Sequence, residues 1–345
     1  MNVRQAWITL NRDCNLRCNW CYARGTGFDI SDRMQEGTVK KLISFLTEIR
    51  VQNLYFIGGE PTCDERLEHF IFLAYERGLL PELITNGVAL QNEQYLFNLK
   101  RAGLKGINLS MKGWSKESYV YNTGKNVYSQ VLQGIGNVSK LGISFVVSFV
   151  LSSINVDSYL DVVLKAVEYG ATQIYLSFEQ DFSALDGNLN RKKVEDSISL
   201  IRKFEKSYEE LCRITGGNFV LHQSLPFCIW NPSVLEELKN RQQLSSNCQL
   251  RERSGLVFDT DASLIMCNSL YHIPIGKFDE DFSDRASFVS FWNSKKIREI
   301  YSSLSKLPAK ECDSCKDKTL CGGGCIANWL HYDLNQLKLG IKNNA

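Results

Sequence analysis

The stretch Asn11-Arg-Asp-Cys-Asn-Leu-Arg-Cys-Asn-Trp-Cys-Tyr22 sets three thiols, Cys14, Cys18 and Cys21, in a C-x3-C-x2-C pattern. A cubane iron–sulfur cluster has four irons and normally takes four thiolates. Three ligands from one short loop leave one iron without a protein ligand, and such an iron can hold a substrate or cofactor as well as pass electrons. A zinc site, or scattered core cysteines, is the plainer alternative for the same residues.

Outward from this loop, the cysteines are unevenly spread. Of twelve in 345 residues, three lie in the loop and seven towards the C-terminus, at Cys228, Cys248, Cys267, Cys312, Cys315, Cys321 and Cys325; only Cys63 and Cys212 stand apart. The opening residues MNVRQAWITLNRD contain no apolar signal core, and no stretch reaches the ~18 apolar residues of a membrane span, so a cytoplasmic protein with no membrane partner is expected. Disulfides are disfavoured in that compartment, and clustered cysteines then point to metal. The net charge is +2 with no run of five basic residues, which argues against nucleic acid as a partner. Hydrophobic content of 44% and charged content of 23% suit a globular chain with one large domain and a smaller one.

Residues 5–213 alternate short apolar strands with amphipathic helices. Strands are expected near Gln5–Asn11, Asn53–Ile57, Glu82–Thr85, Gly106–Ser110, Ile143–Val150 and Gln173–Phe178, with helices over about 36–49, 64–77, 92–101, 126–140, 156–169 and 190–213. Six consecutive βα units predict a parallel sheet with helical crossovers, two units short of a complete barrel. After about residue 216 the rhythm changes to short strands, turns and cysteines, with a helix near 294–304, so domains of 1–215 and 216–345 are expected. Parallel α/β folds bind ligands beyond the carboxyl ends of their strands.

A second motif, Gly58-Gly59-Glu60, stands at such an end, after NLYFI. Neither glycine has a Cβ, so a ligand can approach the backbone closely. The adjacent carboxylate can pair with an ammonium group. A plain turn with an exposed glutamate is the alternative. Thr85-Asn86-Gly87 ends the third strand and Ser110 the fourth.

Together these motifs resemble the radical S-adenosylmethionine (SAM) superfamily. The resemblance implies a partial (β/α)6 TIM-like barrel and a [4Fe–4S] cluster on Cys14, Cys18 and Cys21 whose open iron chelates SAM. It gives Tyr22 the aromatic place after the third cysteine, Gly58, Gly59 and Glu60 the amino end of SAM, Thr85 and Asn86 the family's T-N-G, and Ser110 the SAM ribose. Ser110 reads equally as a helix or turn cap. Many relatives carry an arginine about a dozen residues after that serine for the SAM carboxylate; this chain has Tyr121, Asn122 and Thr123 there.

The C-terminal C-x2-C-x5-C-x3-C of Cys312, Cys315, Cys321 and Cys325, with Cys248 and Cys267 upstream, resembles the SPASM module, a small cysteine-rich α+β domain with auxiliary clusters. Ala262 stands where that pattern usually has glycine. The resemblance implies two auxiliary iron–sulfur clusters, one on Cys228, Cys248, Cys267 and Cys325 and one on Cys312, Cys315 and Cys321. A four-thiolate zinc on the quartet is the rival. Two fully thiolate-ligated cubanes need eight cysteines and this region offers seven, so the second cluster is expected to be one ligand short, with His331 and Asp333 first in line for the place and Cys63 or Cys212 as the alternative.

By this resemblance the chain is expected to be an oxidoreductase and peptide maturase. It would generate a 5′-deoxyadenosyl radical and crosslink, oxidise or rearrange a ribosomally made precursor peptide, with its auxiliary clusters relaying electrons or positioning substrate. A flavodoxin or ferredoxin would donate electrons. Only 13 residues precede Cys14, so a separate leader-binding partner is expected. Glu179 and Asp181, after the sixth strand, are candidate general bases, with solvated loop carboxylates as the alternative. Cys63 is either a hydrogen donor or a small buried residue. Sulfatase-maturing-type oxidation of a protein Cys or Ser, and a non-catalytic metal scaffold, are the other two readings. Intact GGE argues against the scaffold.

Overall fold

The structure is a computed structural model that describes residues 2–21, 29–179, 191–246, 248–270, 274–304 and 309–326. Its first half follows the predicted alternation: β1 Gln5–Thr9, α1 Glu36–Glu48, β2 Asn53–Ile57, α2 Leu67–Glu76, β3 Leu80–Thr85, α3 Glu93–Arg101, β4 Gly106–Ser110, α4 Lys116–Thr123, α5 Tyr128–Lys140, β5 Ser144–Leu151, α6 Tyr159–Glu168, β6 Ile174–Phe178 and α7 Arg191–Thr215. Then come β7 Phe219–His222, α8 Pro232–Asn240, β8 Leu244–Ser245, β9 Gly255–Phe258, β10 Ser263–Ile265, β11 Pro274–Lys277, α9 Arg285–Trp292, α10 Lys295–Leu304 and the short α11 Lys318–Cys321.

All eleven strands form one sheet in the order β11-β10-β9-β1-β2-β3-β4-β5-β6-β7-β8. Every pair from β1 to β8 is parallel, as βαβ crossovers dictate. The expected six units are present, and β7 and β8 extend them. The barrel does not close, because β9 occupies the other edge of β1, running parallel to it. Strands from both sides of residue 215 therefore share one sheet.

The helix-facing positions of the strands, such as Ala6, Ile8, Leu54, Phe56, Leu109 and Leu176, are shut from solvent. They meet apolar stripes at helical spacing, such as Val39, Leu42, Ile43 and Leu46 of α1. Phe45 on α1 meets Phe258, Phe278, Phe282 and Phe288, with ring centroids 5.2–6.4 Å apart, and so packs the C-terminal strands against the first helix.

Some boundaries differ from expectation. β1 stops at Thr9, because Asn11 bridges to Arg33 instead of continuing beside β2. A single 3-10 turn at Pro61–Cys63 delays α2 to Leu67. Helix α4 has no expected counterpart: Val120 and Tyr121 are exposed on it while Tyr119 is buried, so its pattern carries little helical periodicity, and a Ser115–Ser118 capping box starts it.

One ion pair joins the two ends of the chain. Arg12, just past β1, meets Asp259 at the β9–β10 turn, with side chains only 4% and 12% exposed. Breaking a buried pair leaves a charge uncompensated and costs about 3–5 kcal/mol. Asp259→Ala should lower the thermal midpoint of unfolding accordingly, and the double change Arg12→Met with Asp259→Leu should recover most of the loss. A midpoint unmoved by Asp259→Ala would show that the pair contributes nothing.

Candidate active site

The cysteine loop leaves β1 and is held at four places beyond the carboxyl ends of the strands. At the end of β2, the Gly59 N–H donates to Asn11 O (2.8 Å), the Glu60 N–H to Asp13 O (2.7 Å), and Asn11 Nδ2 to Glu60 O (3.1 Å). A Cβ on Gly59 would run into the carbonyls of Arg12 and Asp13, and one on Gly58 would lie 2.7 Å from Asn11 Oδ1. The close approach these glycines permit is that of the cysteine loop itself. At the end of β3, Asn86 Nδ2 donates to Asn15 Oδ1 (2.7 Å). At the end of α4, Arg17 and Asn19 donate backbone N–H groups to the carbonyls of Thr123 and Asn122, both 2.9 Å. The stretch that lacks the family's arginine thus supports the loop through its backbone. The fourth hold is Arg12 on Asp259.

Glu60 sits at the junction, 1% exposed. Its Oε1 accepts Thr62 N–H (3.1 Å), Thr62 Oγ1 (2.7 Å) and Thr85 Oγ1 (2.6 Å), and its Oε2 accepts the Asn86 N–H (2.7 Å). Burial raises its pKa, and these donors oppose the rise in part. Among the described residues no Lys, Arg or His forms an ion pair with it. A buried carboxylate with no cation partner suits an incoming ammonium.

The three loop thiols are half-buried neighbours. Burial pushes the Cys14 thiol up to about 12, and the nearby Glu60, Cys18 and Cys21 charges push in the same direction. Among the described residues no three His, Cys, Asp or Glu side chains are gathered tightly enough to hold a metal ion as they stand. The donor set nonetheless fits an iron–sulfur cluster: three soft ligands on one loop, docked through a glycine cradle beside a carboxylate that lacks a cation. Cys63 borders the same loop: the Asn15 N–H donates to its sulfur, and burial raises its pKa.

Besides Ser110, the barrel's inner face carries half-buried side chains that sequence reading passed over, Ser148, Tyr175 and His222. Ser110 meets Ser148 of β5 (Oγ to Oγ 3.0 Å). His222 of β7 stacks on Tyr175 of β6 at 6.1 Å. Its Nδ1 is buried without a hydrogen bond, and burial lowers its pKa, so it is neutral at pH 7. The signal was the period-2 alternation of strands, which turns every second residue inward. Glu179 is exposed, its N–H bonded to Leu151 O (2.7 Å). Tyr22, Asp181, His331 and Asp333 lie outside the described residues.

Cys228, Cys248, Cys267, Cys321 and Cys325 lie near β7 and β8. The Cys267 thiol is pushed up to about 12 by burial foremost, with the charges of Cys325 and Cys248 beside it. The Cys325 N–H donates to Ser224 O (2.9 Å), which sets its loop beside the turn Phe227–Ile229 that carries Cys228. Buried Cys321 accepts the N–H groups of Phe227 and Gly323, both 3.3 Å. Arg251 braces the loop between them by donating to the carbonyls of Gly322 and Gly324. Cys312 and Cys315 lie one turn apart, Cys315 exposed.

Two substitutions test the junction. Gly59→Ala should cut the iron held after anaerobic reconstitution by about four per chain while leaving the far-UV circular dichroism unchanged; full iron retention would contradict the cradle. Glu60→Gln keeps the shape but turns an amide donor towards one of the donors it must accept, and should cost about 1–3 kcal/mol of stability, read as a lower unfolding midpoint.

Residues 8–166 match the family model of the Radical SAM superfamily. The chain is 28% identical over 270 residues to a 7,8-dihydro-6-hydroxymethylpterin dimethyltransferase of Methanocaldococcus jannaschii, covering 75% of this chain and 52% of that protein. It spans about half the length of the curated relatives it matches. Its fold resembles anSMEcpe with bound AdoMet (TM-score 0.69, 20% identity, covering 99% of this chain and 96% of that one). It also resembles Streptococcus suis SuiB bound to precursor peptide SuiA (TM-score 0.70, 13% identity, 95% and 73%). Residues 8–166, which match the Radical SAM family model, form most of a partial barrel with the cysteine loop docked on its strand ends.

Proposed function

We propose that this chain is a radical SAM enzyme that modifies a ribosomally made precursor peptide. The observation that carries the reading is Glu60, a buried carboxylate with four donors and no cation among the described residues, set where the cysteine loop docks. Cys14, Cys18 and Cys21 would hold the [4Fe–4S] cluster, and Glu60 would take the SAM ammonium. When bound and reduced, cluster and SAM supply a 5′-deoxyadenosyl radical that abstracts hydrogen from substrate. Gly58 and Gly59 hold the loop in register, Thr85 and Asn86 orient Glu60, and Ser110 with Ser148 offers hydroxyls on the inner wall. Tyr22 would be a further cofactor contact, and Glu179 and Asp181 are the candidate general bases.

Likeness to SuiB, whose structure contains a precursor peptide, and to anSMEcpe, whose structures include bound peptides, supports a peptide substrate. The gathering of Cys248, Cys267 and Cys325 supports an auxiliary cluster on them with Cys228, in a SPASM-like region from 216 onward; Cys312, Cys315 and Cys321 would hold the second. No described helix is long and apolar enough to cross a membrane, which accords with a cytoplasmic enzyme served by flavodoxin or ferredoxin and a separate leader-binding protein. A second reading, a small heterocyclic substrate, is favoured by the pterin-methylating relative.

Anaerobic reconstitution should give about twelve irons per chain, and about eight after Cys14, Cys18 and Cys21 are all changed to Ala. The reduced wild-type protein should release 5′-deoxyadenosine from SAM, the triple variant none. Zinc in place of the distal iron would remove the auxiliary clusters from this account. Faster 5′-deoxyadenosine formation with a pterin than with any peptide encoded beside the gene would favour the second reading.

A further inference from the structure

At the opposite end of the sheet from the cysteines lies a cavity of about 680 Å³. Its walls come from the segments just before β1, β2 and β9 and from α9. A five-residue strand at ~3.3 Å per residue sets it about 17 Å from the cysteine loop. Four arginines line it, Arg4, Arg50, Arg253 and Arg285, against one glutamate, Glu252. On a chain of net charge +2, that is a strong local concentration of positive charge.

Elsewhere about half of the described lysine and arginine side chains are matched, as in Lys140–Glu93, Lys203–Asp157 and Arg213–Glu210. These four arginines form no ion pair among the described residues. Two of them, Arg4 and Arg253, are also held in place. The Arg4 backbone accepts the N–H groups of Gln52 (2.8 Å) and Asn53 (3.1 Å) and donates to Ser254 O (2.8 Å), which joins the starts of β1, β2 and β9. The Arg253 guanidinium lies over the rings of Trp292 (4.9 Å) and Tyr301 (4.5 Å), donates to Trp292 O (2.7 Å), and keeps a buried Nε with no hydrogen bond. Arg50 and Arg253 both sit in the left-handed backbone region, φ 63° and 50°, which residues with a Cβ rarely adopt. Glu252 takes only a long bond from Ser254 Oγ (3.4 Å) and neutralises none of the four.

We infer that this cavity is a binding site for a small, multiply charged oxyanion, a diphosphate or a polycarboxylate. Its volume is that of a small-molecule pocket. Arginine forks match phosphate and carboxylate oxygens two at a time, and their weak hydration lets them meet an anion without a large desolvation cost. Four arginines lining one cavity favour a ligand with at least two charges.

The test is titration calorimetry on the reconstituted enzyme with pyrophosphate, citrate and an octaglutamate peptide in parallel, repeated on the double variant Arg50→Gln, Arg285→Gln. Both residues are exposed, and an unchanged unfolding midpoint and SAM affinity will show the fold intact. Pyrophosphate or citrate should bind at one site with Kd below about 1 mM, and the double variant should weaken it by at least about tenfold. Tighter pyrophosphate assigns a phosphate ligand; tighter citrate assigns a carboxylate. No saturable binding of either, equal binding to the variant, or tighter octaglutamate than both would overturn the inference.

Discussion

The site depends on one buried carboxylate. Glu60 receives donors from its own turn and from the end of β3, while its backbone N–H holds Asp13 in the cysteine loop. Burying a carboxylate costs several kcal/mol. Four donors, each worth roughly 1.5–3 kcal/mol to a charged acceptor, offset that cost without leaving a large surplus. The product is geometry rather than stability: the tails of β1, β2 and β3 stay in fixed relative position. A thiol loop that must present three ligands at once needs that rigidity, since a misplacement of an ångström is costly in a functional site.

The same sheet separates two chemistries. Beyond the carboxyl ends of its strands lie soft sulfur ligands and a carboxylate; before the amino ends lie guanidinium cations without carboxylate partners among the described residues. Parallel strands produce this division because every βα unit delivers its loop to one rim and returns its chain to the other.

Much of this was legible in the sequence because it is local. The C-x3-C-x2-C spacing, the Gly58-Gly59-Glu60 turn and the βα alternation are short-range patterns, and each falls where the strand periodicity puts it. What stayed hidden is long-range. Nothing near Arg12 announces Asp259, 247 residues away. Gly58 and Gly59 read as room for a ligand, whereas the residues that fill the space are Asn11, Arg12 and Asp13. The four arginines of the far rim are isolated in sequence, at 4, 50, 253 and 285, so a search for basic runs passes over them. Helix α4 escaped because a helix with two exposed apolar residues and one buried tyrosine lacks the stripe that makes a helix visible.

The pairing of β9 with β1 has a consequence for synthesis. On a ribosome the chain emerges N-terminus first, and β1 and the three-thiol loop that follows it are made about 250 residues before the strand that covers the open edge of β1. Until then β1 offers an unpaired edge, and Arg12 lacks its carboxylate. The contacts that finish the N-terminal loop are among the most distant in the chain, and distant contacts form slowly. Rigidity of that loop is therefore tied to completion of the C-terminal segment: the first residues translated belong to the last part of the site to be fixed in place.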